Sequence, residues 1–448
     1  MSAKSALADF VSQNRVLTRS VAIGRVLSVQ GPAIVARLPS ASCGDLCSIQ
    51  CSNGTIIQAQ VVSFNEDLIH LAPFCGTDGI GPGSQVVNYG HTPTITLKQD
   101  VRGSVIDAEG KLLQQPATPK EPINYKLPIY RDPPPPLERP IIKAPFFTGI
   151  RSIDAITPIG IGQRMAIIAP AGTGKSTLLS MIARNSDSDV NVIALVGERG
   201  REVNEFIQKC LDYHSLRKSV IVVATSDQSA AARSLAPLTA TAVAEFYRDQ
   251  GKNVLLLVDS LTRTARAIRE MSLAGGELPV RHGYTARVYS ELPRLLERSG
   301  PAKSGSITAF YTLLSSEADD EQDPLSAEIK SLLDGHIILS TELASEGVFP
   351  AVNLTRSISR LREKLLPQEA LHEINTIIST ITKLHEIKNA LAMGSHLSST
   401  MKQILKTVEP IRAFLRQNET EIVSPQQCAT ARTYLAKHCL SETLLEHS

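Results

Sequence analysis

The sequence predicts an α/β protein with three parts: an N-terminal small β-barrel, a central domain with a mostly parallel sheet, and a C-terminal helical domain. Short apolar runs separated by turn residues occupy residues 19–90, which is typical of a small closed barrel. Apolar strands alternate with helical stretches over residues 146–362, which favours a sheet covered by helices. Residues 363–448 carry apolar side chains at helical spacing.

The overall composition is that of a folded protein with a large core. The chain has 448 residues, of which 42% are hydrophobic and 20% are charged. Lysine and arginine number 46 against 44 acidic residues, so no global basic field attracts nucleic acid or a membrane surface. No apolar run approaches the roughly 18 residues of a membrane helix, and the N-terminus lacks an apolar signal core. We therefore expect a cytoplasmic protein.

The first 90 residues are electrically neutral. They contain five lysine or arginine residues and five acidic residues. A barrel without excess positive charge is a poor surface for RNA, so we expect no nucleic-acid partner.

The cysteines indicate reduced thiols. The chain has seven, an odd number, and no export signal. Cys43, Cys47 and Cys51 repeat every four residues, which fits neither zinc knuckles nor the usual iron–sulfur cluster runs. We expect ordinary thiols here, while a metal site stays the alternative.

Two segments outside the main domains have recognisable patterns. Residues 1–18 place Leu7, Phe10, Val11 and Leu17 close to a helical period, which indicates an amphipathic segment; a frayed terminus is the alternative. Residues 91–145 are predicted as a connector, because prolines crowd its second half and favour an extended, semi-rigid chain.

Six apolar runs of the central domain are predicted as strands. They are Arg164–Ile168, Val190–Val196, Val220–Ala224, Val254–Val258, Ser306–Thr312 and Gly335–Leu339.

The strongest functional signal is a glycine-rich loop between a strand and a helix. The run Ala169-Pro-Ala-Gly-Thr-Gly-Lys-Ser176 has the strand–loop–helix setting of a phosphate-binding P-loop, although the strict pattern has glycine at Ala169. Glycines let the backbone amides face an anion, and the helix N-terminus adds its positive dipole end. The residues expected to bind the nucleotide are Ala171, Gly172, Thr173, Gly174, Lys175, Ser176 and Thr177.

Individual side chains of this loop have expected roles. Lys175 is predicted to reach the β- and γ-phosphates, and the Ser176 hydroxyl is predicted to ligate Mg²⁺. Asp259 ends the apolar run Val254–Val258 and is predicted as the second Mg²⁺ anchor. A plain N-cap for the following helix is the alternative for Asp259.

A charged turn follows the strand Val190–Val196. Hydrolysis needs a carboxylate to activate water and cations for the charge that develops on the γ-phosphate. Glu198 and Arg199 supply both kinds of group at a strand's carboxyl end. On its own pattern, this segment is also compatible with a solvated turn.

Several segments together resemble the catalytic ATPase of type III protein export, which serves bacterial flagella and virulence injectisomes and is related to the catalytic subunit of rotary ATP synthases. The resemblance covers roughly residues 19–365. It is carried by GERGREV (197–203), TSDQSAAAR (225–233), VDSLTRTARAIRE (258–270), LPRLLERSG (292–300), SITAFYTLL (306–314), SLLDGHIILS (331–340) and FPAVNLTRSISRL (349–361).

The resemblance implies a RecA-like P-loop nucleotide-binding domain at the centre of the chain and a Mg²⁺-dependent ATPase with ATP and Mg²⁺ bound. It implies that Glu198 activates the attacking water and that Arg199 contacts the γ-phosphate. It places Phe349 against the adenine ring. It makes Arg360 an arginine finger that reaches the γ-phosphate of a neighbouring subunit.

The same resemblance implies an assembly and its partners. The family forms homohexameric rings, peripheral at the cytoplasmic face of the inner membrane, at the export gate. Its partners are regulator and stalk proteins of the apparatus and export chaperone–substrate complexes. The segment 391–397 matches the corresponding family motif only faintly, which leaves the partners of the C-terminal domain open.

Three other functions compete with the export ATPase. The catalytic subunit of an ion-translocating rotary ATPase is disfavoured because its acidic rotor-contact motif is missing from the C-terminal domain. An RNA-dependent hexameric helicase is disfavoured by the neutral barrel. An inactive nucleotide-binding scaffold is disfavoured by the joint presence of Lys175, Glu198, Asp259 and Arg360.

Overall fold

The computed structural model describes residues 21–116, 122–314, 324–393, 396 and 399–443. The predicted amphipathic segment, residues 1–18, lies outside them. The chain forms two compact units: the first holds the described residues up to Pro93 together with Ala274–Gly276, and the second holds the others. Within the described ranges, no helix combines the length and the apolar character needed to cross a bilayer.

The N-terminal unit is a closed six-stranded antiparallel barrel, as the sequence predicted. The strands pair in the order β1-β2-β5-β4-β3-β6, and β6 closes the barrel against β1. Side chains such as Val26, Ile34 and Leu71 fill its interior. The strands are β1 (Ala22–Gln30), β2 (Ala33–Arg37), β3 (Leu46–Gln50), β4 (Ile56–Asn65), β5 (Leu68–Pro73) and β6 (Gln85–Asn88).

The three regularly spaced cysteines lie in different environments. Cys47 and Cys51 are buried, whereas Cys43 is exposed. Burial raises the pKa of the Cys47 thiol to about 12. Burial thus favours the neutral, unreactive thiol at this position.

The second unit is built on one large sheet and its connecting helices. Its strands are β7 (Thr94–Gln99), β8 (Ser104–Asp107), β9 (Leu112–Gln114), β10 (Pro122–Pro128), β11 (Pro145–Phe146), β12 (Ile159–Gly160), β13 (Arg164–Ala169), β14 (Val190–Val196), β15 (Ser219–Ala224), β16 (Asn253–Asp259), β17 (Pro279–Arg281), β18 (Tyr284–Thr285), β19 (Gly300–Pro301), β20 (Ser306–Leu314), β21 (Gly335–Ile338) and β22 (Ile358–Ser359). The helices among them are α1 (Arg151–Ile156), α2 (Lys175–Asn185), α3 (Gly200–Glu205), α4 (Tyr213–Lys218), α5 (Ala230–Asp249), α6 (Leu261–Ala274), α7 (Ala286–Glu297), α8 (Pro324–Leu332) and α9 (Thr341–Ser345).

The large sheet is mostly parallel. Its strands follow the order β22-β21-β13-β20-β16-β14-β15-β8-β9, with β19 attached to β20. All six predicted strands belong to it and run parallel to their neighbours within that series. Strands β13, β14, β16 and β20 therefore end at the same edge, which we call the carboxyl edge. Ligands of open α/β sheets bind at this edge.

The connector predicted over residues 91–145 is more structured than the sequence indicated. It contains four strands, of which β7 and β10 pair with each other. Strand β8 extends the large sheet parallel to β15, and β9 pairs antiparallel with β8. Strand β8 has only four residues, and its partner lies over 100 positions further along the chain. No local sequence pattern therefore predicted strand β8.

The C-terminal domain is helical in its described residues, as predicted. Its helices are α10 (Arg362–Leu365), α11 (Gln368–Ala392), α12 (Ser399–Leu405), α13 (Val408–Leu415) and α14 (Pro425–Thr443). Arg151, at the start of α1, donates to the main-chain carbonyls of Phe414 and Arg416, both at 3.2 Å. A cation at a helix C-terminus satisfies open carbonyls and complements the helix dipole. Arg151 therefore joins the C-terminal domain to the nucleotide domain.

A buried ion pair joins the segment that follows β10 to helix α5. Arg298 donates to Glu245 through two nitrogens, at 3.0 and 2.8 Å, and both side chains are 2% exposed. A third donor of Arg298 reaches the carbonyl of Ile129 at 2.7 Å. Removal of one partner of such a pair leaves an uncompensated buried charge.

We expect Glu245→Gln to lower the free energy of unfolding by about 3–5 kcal/mol, because Arg298 then lacks its counter-charge. Urea unfolding followed by circular dichroism measures this, since the chain has no tryptophan. Asp132→Asn is the matched control, because its pair with Arg294 is exposed at 88% and 74%. The control should change stability by no more than about 1 kcal/mol. Equal effects of the two variants would contradict the role of burial.

Candidate active site

The glycine-rich loop joins the carboxyl end of β13 to helix α2. Gly172 and Gly174 have φ of +80° and +81°, the left-handed region that favours glycine. The Thr173 hydroxyl is buried and donates to the carbonyl of Pro170 at 2.8 Å, which closes the turn. Ser176 and Thr177 lie in the first turn of α2, and Ala171 is exposed at the tip of the loop. The loop thus leads its amides to a helix N-terminus, an arrangement suited to phosphate.

Lys175 lies between two carboxylates that come from two other strand ends. Its ammonium group contacts Asp259 Oδ1, and it lies 3.4 Å from Glu198 Oε1. Asp259 is the last residue of β16, and Glu198 follows β14 by two positions. The parallel sheet therefore brings together the three residues that the sequence predicted to bind phosphate, to activate water and to bind metal.

A threonine of the intervening strand completes the environment of Asp259. Strand β20 lies between β13 and β16, and Thr312 on it donates to Asp259 Oδ1 at 2.7 Å. Asp259 is 3% exposed, so this bond and the contact with Lys175 compensate for its lost hydration. Sequence reasoning missed Thr312, because its strand looks like any other apolar run.

Glu198 has a raised pKa. Burial is the main cause, and the negative charge of Asp259 and a hydrogen bond with Glu202 act in the same direction. The positive charges of Lys175 and Arg263 oppose the shift. A carboxyl group with a raised pKa is a better proton acceptor once it is ionised, as general base catalysis requires.

Arg263 is a site residue that the sequence analysis missed. It lies on helix α6, and its guanidinium is 3.1 Å from Glu198 Oε2. Gly197 makes the approach possible, because a Cβ on this glycine would lie 2.8 Å from Cδ of Arg263. The motif VDSLTRTARAIRE contains this arginine among others, and only the packing of α6 singles it out.

Arg199 does not join this cluster. Its side chain is 76% exposed and pairs with Glu202 at 3.5 Å. Its assignment as a γ-phosphate contact stays a prediction.

Phe349 lies beside the glycine-rich loop. A Cβ placed on Gly174 would lie 3.3 Å from Cδ1 of the ring, and Phe349 is 41% exposed. Its carbonyl accepts a hydrogen bond from the Gln417 amide at 2.9 Å. The sequence pattern did not indicate Gln417, which links the C-terminal domain to Phe349. The position suits an aromatic contact with the base of a nucleotide held by the loop.

Arg360 is remote from the loop of its own chain. It follows the edge strand β22, which pairs antiparallel with β21 at Gly335, the first residue of that strand. The Arg360 amide donates to the carbonyl of Asp334 at 3.0 Å. Arg360 thus lies at the amino edge of the sheet, and the six residues of β13 separate this edge from the loop by about 20 Å.

The side chains at the carboxyl edge fit a magnesium ion in their chemistry. Mg²⁺ prefers oxygen ligands, and the Asp259 carboxylate and the Ser176 hydroxyl supply them beside the phosphate loop. A buried carboxylate costs free energy unless a positive charge compensates it. The lysine provides that charge here, and a phosphate-bound cation would provide it as well. The metal assignment of Ser176 and Asp259 stays a prediction.

A phosphate-binding loop, a buried strand-end aspartate and a glutamate with a raised pKa define a P-loop nucleotide-binding protein equipped for hydrolysis. The family model for the nucleotide-binding domain of the ATP synthase alpha/beta family matches residues 149–359. The model for the β-barrel domain of the same family matches residues 26–90.

Relatives match along almost the whole chain. The chain is 41% identical to the "Flagellum-specific ATP synthase" of Bacillus subtilis over 419 residues, which covers 92% of this chain and 94% of the relative. The solved structure of the assembled ATPase EscN, from the type III secretion system of enteropathogenic E. coli, matches with a TM-score of 0.85 and 38% identity. It covers 92% of this chain and 100% of that chain. A structure of EscN with its central stalk EscO matches with a TM-score of 0.82 and 38% identity, with the same coverage.

The chain therefore belongs to the ATP synthase alpha/beta family. The predicted resemblance and the predicted fold, a barrel followed by a RecA-like nucleotide domain and C-terminal helices, are confirmed.

The acid limb of the pH–rate profile tests the role of Arg263. Glu198 must be ionised to accept a proton from water, and Arg263 favours the ionised form. We expect Arg263→Met to raise the pKa of Glu198 further, so that the acid limb of kcat/KM moves to higher pH. The profiles are measured at fixed Mg²⁺ and compared with wild type, so that the titration of ATP cancels.

Arg266→Met is the matched control, because Arg266 is an exposed arginine on the same helix. It should leave the acid limb in place. An acid limb that stays in place, or moves to lower pH, in Arg263→Met would show that Arg263 does not act on Glu198.

Proposed function

We propose that this chain is the ATP-hydrolysing motor of a bacterial type III protein export apparatus, flagellar or injectisome. It couples ATP hydrolysis to chaperone release, unfolding and export of protein substrates. One observation carries the proposal: Lys175, Glu198 and Asp259 meet at the carboxyl edge of the sheet. The chain that forms this site aligns over nine-tenths of its length with a "Flagellum-specific ATP synthase" and with a type III secretion ATPase. The relatives named above favour this function over that of an ion-translocating rotary subunit.

The chain's own groups divide the work of hydrolysis. The loop amides and Lys175 bind the phosphates, and Phe349 packs against the adenine. Glu198 accepts a proton from the attacking water, while Arg263 keeps its carboxylate ionised. Ser176 and Asp259 would hold Mg²⁺, which neutralises charge on the β- and γ-phosphates.

Lys175 has to change partners during the cycle. It now compensates two carboxylates, Asp259 and Glu198. When ATP binds, the ammonium group turns to the phosphates, and the carboxylates lose part of their compensation. That change favours a cation beside Asp259 and increases the basicity of Glu198. ATP binding thereby prepares the site for hydrolysis.

The position of Arg360 supports a ring. An arginine at the amino edge is out of reach of its own loop, whereas a head-to-tail neighbour presents its carboxyl edge to it. We infer a homohexamer with shared active sites, by analogy with the assembled relative. We also infer a stalk partner, as for that relative. Regulator proteins, chaperone–substrate complexes and peripheral attachment to the inner membrane at the export gate complete the proposal.

Glu198→Gln separates ATP binding from hydrolysis. The amide keeps the shape of the side chain but cannot accept the proton from water, so turnover should fall about 10²–10⁴-fold. Equilibrium binding of a fluorescent ATP analogue should stay near the wild-type value. Cells that carry only this variant should no longer release export substrates into the medium. Normal export by such cells would refute the proposed function, and a joint loss of binding and turnover would make Glu198 structural.

Arg360→Ala tests whether the active site is shared. We expect it to bind ATP and to lose about 10³–10⁵-fold in turnover, the usual effect of an arginine finger. Coexpression with Glu198→Gln, each chain with its own tag, gives rings that carry both tags. In these rings roughly a quarter of the interfaces combine an intact Glu198 with an intact Arg360, so activity should reappear. Wild-type turnover of Arg360→Ala in an assembled ring would exclude the finger.

A further inference from the structure

The segment that carries Arg360 is fastened to the amino edge of the sheet by its main chain. Ser359 pairs with Gly335 in the β21–β22 ladder. A Cβ on Gly335 would lie 2.3 Å from the carbonyl oxygen of Ile358, so only glycine allows this approach. The Arg360 side chain itself is exposed. The backbone of this segment is thus fixed in place, while the exposed guanidinium of Arg360 can reach another molecule.

A single buried side chain forms hydrogen bonds both to strand β22 and to the residue that precedes β21. Gln163 is 0% exposed, and its amide nitrogen donates to the hydroxyl of Ser359 and to the carbonyl of Asp334, both at 3.1 Å. Its amide oxygen accepts from the Gly160 amide at 2.8 Å. The Asp334 carbonyl is also the acceptor for the Arg360 amide. Gln163 therefore contacts the residue before Arg360 and the group to which Arg360 is bonded.

Gln163 belongs to the strand that carries the phosphate loop. It directly precedes β13, whose other end leads into the loop. Asp334 is tied to the same place, because its carboxylate accepts from the Arg164 amide at 3.0 Å and from Arg164 Nε at 3.1 Å. The support of Arg360 is therefore the amino end of β13 rather than a mobile loop.

We propose that Gln163 is the positioning residue for Arg360, and that it acts on the active site of the neighbouring subunit rather than on its own. The inference rests on the proposed function, since it takes Arg360 to reach a γ-phosphate in the next chain. A buried amide that donates to two acceptors restricts where the backbone of 359–360 lies. Misplacement of a catalytic group by 1 Å costs about 10²-fold in rate. The effect of Gln163 is therefore on turnover, while ATP binding in its own chain is spared.

The direct test is Gln163→Leu, which keeps the volume and removes both donors. We expect kcat to fall about 10- to 100-fold with KM and the binding of a fluorescent ATP analogue unchanged. Ser359→Ala is the milder companion variant. It removes one acceptor on the Arg360 segment and leaves the other two bonds of Gln163 in place, so the fold is kept. It should also lower kcat alone, by a smaller factor.

Complementation shows on which site Gln163 acts. Gln163→Leu, with an intact Glu198, is coexpressed with a threefold excess of the inactive Glu198→Gln chain, and rings that carry both tags are purified. Most Gln163→Leu sites then face a neighbour with an intact Gln163 and Arg360. If Gln163→Leu alone keeps about a tenth of wild-type turnover, activity per Gln163→Leu chain should rise roughly eightfold, although the added chain is itself inactive. The double variant Glu198→Gln/Gln163→Leu is the control and should give no rise.

The outcomes separate this inference from the function on which it rests. If Arg360→Ala is inactive and is rescued by Glu198→Gln, but Gln163→Leu is not rescued, then Gln163 supports its own site and the inference is wrong. The inference also fails if KM rises as kcat falls in both Gln163→Leu and Ser359→Ala. If Arg360→Ala keeps wild-type turnover in an assembled ring, the arginine finger of the proposed function fails first.

Discussion

The contact of Lys175 with Asp259 and Glu198 depends on three strands that end at the same edge of one sheet. Each of these groups follows a different strand, β13, β16 or β14. A parallel sheet places such ends side by side without any special loop, and its buried strands exclude water from beneath them. The result is one cation between two buried carboxylates, with Arg263 as a second cation on the far oxygen of Glu198. Removal of either cation leaves carboxylates that repel each other in a poorly hydrated site.

The same sheet places the two halves of the proposed active site at opposite edges. The phosphate loop follows the carboxyl end of β13, while Arg360 and its support lie beside the amino end. One strand therefore connects the phosphate loop of the chain with the arginine that we propose acts on a neighbouring subunit. In the head-to-tail ring that we propose, every carboxyl edge would meet the amino edge of a neighbour.

Short-range patterns predicted the parts of the fold and site that depend on neighbours in sequence. The strand–loop–helix around Lys175, the apolar run before Asp259 and the alternating strands of the barrel are local signals, and the structure has each of them. Strand β8 was missed because its four residues become a strand only beside β15. Arg263, Thr312 and Gln163 were missed for a related reason. Each is an ordinary residue in its own segment, and its role comes from what the fold brings next to it.

The C-terminal domain contacts the nucleotide domain through Gln417, whose partners there are main-chain groups. The Gln417 amide donates to the carbonyl of Phe349, while its side chain donates to the carbonyl of Gly149 at 2.8 Å and accepts from the Arg151 amide at 2.8 Å. Contacts with main-chain groups survive most changes of the surrounding side chains. We expect Phe349 to stay beside the phosphate loop as long as Gln417 keeps these three contacts with the nucleotide domain.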